Sequence, residues 1–152
     1  MVRGVAAAPG AFAAGELVTR DGRRPEVAIV GGSPSSTLVA TVLCQQFGCS
    51  TVPAPSGESA LALLRGETRV DLVLIDLSVA DMDGIVAVQL IRALGSRGTL
   101  PIVALTANPA DATSSRTRIA GFSSVLIKPY SPRELHAALH GALARAAAAR
   151  PA

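Results

Sequence analysis

The chain has 152 residues, 49% of them apolar and 16% charged, with a net charge of +3. That length suits one domain with a sizeable core, and the composition excludes a disordered polar chain. Arg3, Arg20, Arg23 and Arg24 crowd the N-terminal stretch, which leaves the remainder near neutral, without a basic stripe for nucleic acid, and no run approaches the roughly 20 apolar residues of a membrane span.

Residues 1–25 are rich in Ala and Gly, then in Arg, and lack sustained periodicity. They read as a flexible tail with at most one weak helical turn near Glu16-Leu17-Val18. Arg3 and Pro9-Gly10 interrupt the start too early for a signal peptide. From residue 26, short apolar runs alternate with amphipathic stretches. The runs are Val27–Val30, Thr51-Val52, Leu72–Leu77, Ile102–Leu105 and Val125–Ile127. Their near-continuous apolar character predicts strands buried on both faces. Helices are predicted over 34–47, 57–65, 84–94, 109–120 and 132–148, and residues 149–152 form a short tail.

Helix punctuation supports these limits. Ser33-Pro34, Asn108-Pro109 and Ser131-Pro132 each place a capping side chain before a proline at the first helical position. Ser131 and Glu134 have the spacing of a capping box. Gly48, Gly95 and Gly121 stand where helix C-caps are expected. Five β-α units in succession predict a doubly wound α/β fold, a parallel five-stranded sheet in the flavodoxin-like order 2-1-3-4-5. Cys44 and Cys49 are too few for a metal or disulfide framework and read as two free thiols.

In such a sheet, sites form at the carboxyl ends of the strands. Three polar side chains stand there: Asp76 in the third strand, Thr106 after the fourth and Lys128 after the fifth. Lys128 is also the only lysine in the chain. A carboxylate can be a nucleophile toward phosphorus. A hydroxyl can donate to a phosphoryl oxygen, and an ammonium can neutralise its charge. Singly, each is an ordinary surface residue type; the chemistry lies in their joint placement.

Residues 26–148 resemble the receiver domain of two-component response regulators, the CheY-like family. The resemblance rests on Asp71-Leu-Val-Leu-Ile-Asp76-Leu, Met82-Asp83-Gly84, Pro101-Ile-Val-Ala-Leu-Thr106-Ala107 and Lys128-Pro129-Tyr130, with Gly57-Glu58-Ser59-Ala60-Leu61 in matching position. It implies that Asp76 is the phosphoacceptor and that Thr106 and Lys128 bind the phosphoryl group. It also implies an acidic, Mg²⁺-holding pair where this chain has Gly31 and Gly32. The family's site has three carboxylates and one lysine; here Asp76 and Lys128 sum to zero charge. Mg²⁺ is held through carboxylates, so the sequence predicts no metal site, and Mg²⁺ binding that is weak at most. Asp81 and Asp83, in the loop after Asp76, are the nearest replacement ligands and read as ordinary loop residues. The family's switch aromatic is replaced by Val125, which is stiff at χ1. Ala80 stands where proline is frequent. Asp76 and Lys128 are expected to form a standing ion pair.

Surfaces complete the reading. In the first helix, Val39, Leu43 and Phe47 are predicted to face the core, and Leu38 with Val42 to form a neighbouring docking edge. Arg116 and Arg118, through Val125, to Tyr130 and Arg133 make the output-type face that the resemblance implies. His136 and His140 share one face of the last helix without a third metal ligand nearby. The expected protein is a single-domain, cytoplasmic receiver in phosphorelay signalling, impaired in phosphorylation, non-enzymatic, without an output domain. Its partner would be a histidine kinase, a phosphotransferase or another signalling protein, with no nucleic acid or membrane, as a monomer or weak dimer. Two alternatives stand beside it: a receiver that still phosphorylates Asp76 with weak Mg²⁺ or partner help, and a small-anion binder at Gly31-Gly32-Ser33.

Overall fold

The computed structural model describes residues 16–114 and 121–149. Five strands, β1 (Glu26–Val30), β2 (Ser50–Ala54), β3 (Leu72–Asp76), β4 (Ile102–Thr106) and β5 (Ser124–Ile127), form one sheet in the order β2-β1-β3-β4-β5. Every neighbouring pair is parallel. Among the described residues the α-helices are α1 (Pro34–Gln46), α2 (Gly57–Arg65), α3 (Gly84–Arg92) and α4 (Pro132–Ala149). The predicted fold and strand order are those observed.

Alternation along the strands divides the core between the two sheet faces. Ala28, Val30, Val73, Ile75 and Ala104 face Leu61, Leu64, Ile85, Val88 and Ile91 of α2 and α3. Val27, Ile29, Leu72, Leu74, Val103 and Leu105 face Ala40, Cys44, Phe47, Leu135 and Leu139 of α1 and α4. Fully buried side chains such as Leu139 and Ile91 each contribute on the order of 2 kcal/mol. β3 and β4 are buried throughout, as their sequences predict. β2 and β5 are not: they are the sheet edges and remain half-exposed.

Several limits differ from the sequence reading. Residues 109–120 were expected as a helix; Pro109–Ala112 forms a short 3-10 turn capped by Asn108, and residues 115–120 lie outside the described residues. The third helix stops at Arg92, and Gly95 opens a 3-10 turn, Gly95–Thr99, instead of capping the helix. Val39 is 51% exposed, so the buried stripe of α1 runs Ala40, Cys44, Phe47. Glu16-Leu17-Val18 forms no helical turn. Leu17 is instead 3% exposed in the α1–α4 cluster, and its N–H donates to the Phe47 carbonyl at 2.8 Å. Packing thus extends into the N-terminal stretch, because an extended segment can satisfy its backbone on the end of α1.

The capping prolines act as expected. Ser33 accepts from the Ser36 N–H, and Ser131 and Glu134 form a reciprocal box with bonds of 3.0 and 2.7 Å. A second box, Ser56 with Ser59, starts α2. Cys44 and Cys49 are free and buried, and burial pushes both thiols up to about 12, which keeps them protonated and inert.

Candidate functional site

The strand order reverses direction between β1 and β3, so a crevice opens beyond their carboxyl ends. Asp76, the last residue of β3, lies there at 4% exposure. Its carboxylate accepts from four donors. Lys128 Nζ and Ser36 Oγ, the latter at 3.4 Å, reach Oδ2. The N–H and Oγ of Ser78 reach Oδ1 at 2.9 and 2.6 Å. Burial alone would raise the carboxyl pKa, but the bonds from Lys128 and Ser78 outweigh it and hold the group below its usual value. The expected Asp76–Lys128 ion pair is present. Ser36 and Ser78 went unnoticed in the sequence. Ser78 was legible as an Asp-x-Ser turn; Ser36 reaches Asp76 only through the position of α1.

Thr106 ends β4 at 5% exposure. Its hydroxyl donates to Asp111 at 2.5 Å and accepts from the Asn108 N–H at 3.1 Å. The predicted triad therefore shares one sheet edge: the side chains of Asp76 and Lys128 are bonded to each other, while Lys128 meets Thr106 through its backbone, its N–H donating to the Thr106 carbonyl at 2.8 Å. Asp111, five residues past Thr106, was also missed; its signal was an acidic residue in the first turn after the Asn108-Pro109 cap.

Gly31 and Gly32 close the β1 end with φ of 70° and 92°. Side chains rarely adopt that backbone. A Cβ on Gly32 would sit 3.0 Å from Asp76 Oδ2, and one on Gly31 3.3 Å from Val79. The Gly31 N–H is taken by the Ala54 carbonyl at 3.0 Å, and its carbonyl by the Thr37 hydroxyl at 2.9 Å. Behind the carboxylate, a cavity of about 10 Å³ lined by Gly31, Ser36 and Asp76 has room for about one water.

The other acidic residues of this edge serve helices. Asp81 accepts from the N–H groups of Gly57 and Glu58 at 2.8 and 3.0 Å, which lowers its pKa. Asp83 caps α3 through the Ile85 N–H at 2.8 Å. Neither is free to follow a metal toward Asp76.

The surface residues divide. Leu38 and Val42 are exposed, 62% and 42%. Val125 packs into the α2–α3 cluster and Tyr130 into the α1–α4 cluster, on opposite faces of the sheet. Arg133 is exposed, whereas Arg116 and Arg118 lie outside the described residues. Tyr130, Pro129 and Lys128 line an open hollow of about 430 Å³ with Ser36 and Val39. His136 and His140 stack with ring centroids 6.3 Å apart, and His136 meets the edge of Phe47.

The doubly wound sheet thus brings a buried aspartate, a buried threonine and a lysine to one carboxyl edge. Residues 27–140 match the response regulator receiver domain, and the chain belongs to that family, the receivers of two-component signalling. It is 36% identical over 117 residues to the sensor protein GacS of Pseudomonas syringae, covering 74% of this chain and 13% of that protein. It is 32% identical to the DNA-binding response regulator MtrA of Mycolicibacterium smegmatis, covering 82% of this chain and 53% of MtrA. The chain thus spans about half or less of these relatives. The fold superposes on the chemotaxis response regulator CheY4 of Vibrio cholerae with a TM-score of 0.72 at 24% identity, covering 78% of this chain and 98% of that one. It gives the same score at 26% identity against the receiver domain of a Pseudomonas aeruginosa sensor histidine kinase, covering 80% and 98%. That neighbour has a magnesium ion coordinated in its active site cleft.

The residues at this chain's crevice do not fit such an ion. One carboxylate is present, already neutralised by Lys128, and the glycines supply no side-chain oxygen. Among the described residues no group of three His, Cys, Asp or Glu converges to hold a metal. No described helix is long and apolar enough to cross a membrane.

Proposed function

We propose that this chain is an atypical receiver, impaired in phosphorylation, that works in phosphorelay signalling as a protein–protein interaction module rather than as an enzyme. The observation that carries the reading is the saturated state of Asp76: both oxygens are bonded, one to the Lys128 ammonium, beside two glycines that hold no metal. A phosphoryl transfer needs its developing charge neutralised. Here the Lys128 ammonium is already spent on the nucleophile and no second carboxylate adjoins it among the described residues, so Mg²⁺ binds weakly at most. The partner is a histidine kinase, a phosphotransferase or another signalling protein in the cytoplasm, met by a monomer or weak dimer without nucleic acid or membrane.

A second reading keeps the chemistry. Asp76 is ionised and shares its edge with Thr106 and Lys128, which favours a slow phosphoacceptor helped by its partner. The anion-binding alternative is weaker, since the Gly31 N–H already has a backbone acceptor. Amide NMR titration with Mg²⁺ and then beryllofluoride separates these readings. The impaired receiver gives no specific shifts at Asp76, Thr106 and Lys128. Saturating shifts at those residues would instead establish the working acceptor.

A further inference from the structure

The Thr106 hydroxyl is built into the turn that follows β4. In an ordinary capping box, an acidic side chain three residues past the cap accepts from the cap's own backbone N–H. Asn108 is the cap of the 3-10 turn Pro109–Ala112, and Asp111 is that acidic residue. Here the Thr106 hydroxyl stands between the two. It accepts from the Asn108 N–H at 3.1 Å and donates to Asp111 Oδ2 at 2.5 Å. The Asp111 backbone is fixed as well, its N–H donating to the Asn108 carbonyl at 3.0 Å.

A hydroxyl has one proton to donate. Thr106 gives it to a carboxylate, which makes a bond of the short, charge-assisted kind. Thr106 is buried and Asp111 half-buried, so solvent competes little for that bond. An anion seated at Asp76 would need the same proton. The hydroxyl starts from the right strand end for it: Asp76 pairs with Leu105, the residue before Thr106. Two acceptors thus have a claim on one proton, and the claims exclude each other.

We propose that Asp111 is a positioning residue that withholds the Thr106 hydroxyl from an anion at Asp76. The inference rests on the reading of this crevice as an impaired receiver site and adds a cause of impairment outside the β1 corner. Taking away the Asp111 acceptor frees the hydroxyl to serve the crevice.

NMR on the full chain with two variants tests it. Asp111 belongs to neither hydrophobic cluster, so both variants keep the fold. Asp111→Ala removes the acceptor and the charge; Asp111→Asn removes the charge and keeps an acceptor oxygen. Three-bond couplings of the Thr106 methyl carbon report its rotamer. They stay those of wild type in Asp111→Asn and change in Asp111→Ala. Beryllofluoride at high Mg²⁺ then shifts the Asp76, Thr106 and Lys128 signals of Asp111→Ala at a concentration about fivefold lower than in the other two chains, the worth of one hydrogen bond. Unchanged couplings in Asp111→Ala overturn the proposal. So does a beryllofluoride response equal in all three chains, silence included. An Asp111→Asn response equal to that of Asp111→Ala also overturns it, because the lost charge would then be the cause. A wild-type chain that responds readily overturns the impaired-receiver reading alone, since the order of the three responses still decides this inference.

Discussion

Two corners of one sheet edge solve the same problem differently. Where β3 and β5 end, a buried carboxylate meets an ammonium and two donors of Ser78. Where β1 ends, two residues at positive φ present only backbone, and the N–H and carbonyl of Gly31 are closed by Ala54 and Thr37. The first corner is charged and internally neutral; the second is uncharged. The comparison teaches that the cation of this crevice is a covalent part of the chain. A side chain cannot leave when pH or salt concentration changes, so this charge stays at the crevice throughout.

The sharpest way to break this picture is Lys128→Met. It leaves the Asp76 carboxylate buried without its counter-charge, a change worth about 3 kcal/mol, the lower end for a buried pair because Lys128 is partly exposed. Urea unfolding at neutral pH measures it. The pH dependence has a definite sign. The native Asp76 carboxyl is held below its ordinary value of 3.8, so its stabilisation is full above about pH 4 and is lost as pH falls through the lower native value. The Lys128→Met deficit therefore shrinks on acidification, as the carboxyl becomes protonated.

Next is Gly32→Asp, which attempts to return an acidic side chain to the β1 corner. Its Cβ would meet Asp76 Oδ2 at 3.0 Å on a backbone with φ of 92°. The cost of the left-handed backbone is about 1–2 kcal/mol, read as a fall in unfolding midpoint. A variant as stable as wild type would show that this corner rearranges freely, and the contrast between the corners would fail.

Ser78→Ala is smaller. It removes one donor at 2.6 Å and leaves the Ser78 N–H in place, for roughly 1 kcal/mol. Carboxyl titration should show the Asp76 pKa moving up toward its ordinary value. The smallest effect is local: Asp81→Ala frees the Gly57 and Glu58 amides, and their hydrogen exchange should quicken while the Asp76 titration stays unchanged. A response at Asp76 would place Asp81 in the crevice after all.

The sequence by itself determined the sheet, its strand order and the edge on which Asp76, Thr106 and Lys128 meet. Apolar runs, proline-marked caps and β-α alternation are local signals, each readable within a few residues. It also determined which residues stand at the β1 corner. Only the tertiary structure decided how the polar groups spend their bonds. Ser36 reaches Asp76 across 40 residues, and Asp81 reaches the start of α2 backward across 24. Thr106 turns to Asp111 rather than to Asp76. The exposure of Val39 and the burial of Leu17 were hidden for the same reason. Periodicity fixes which face of an element is apolar, but the rotation of α1 and the path of its entry segment follow from packing against α4 and the sheet, which no local pattern encodes.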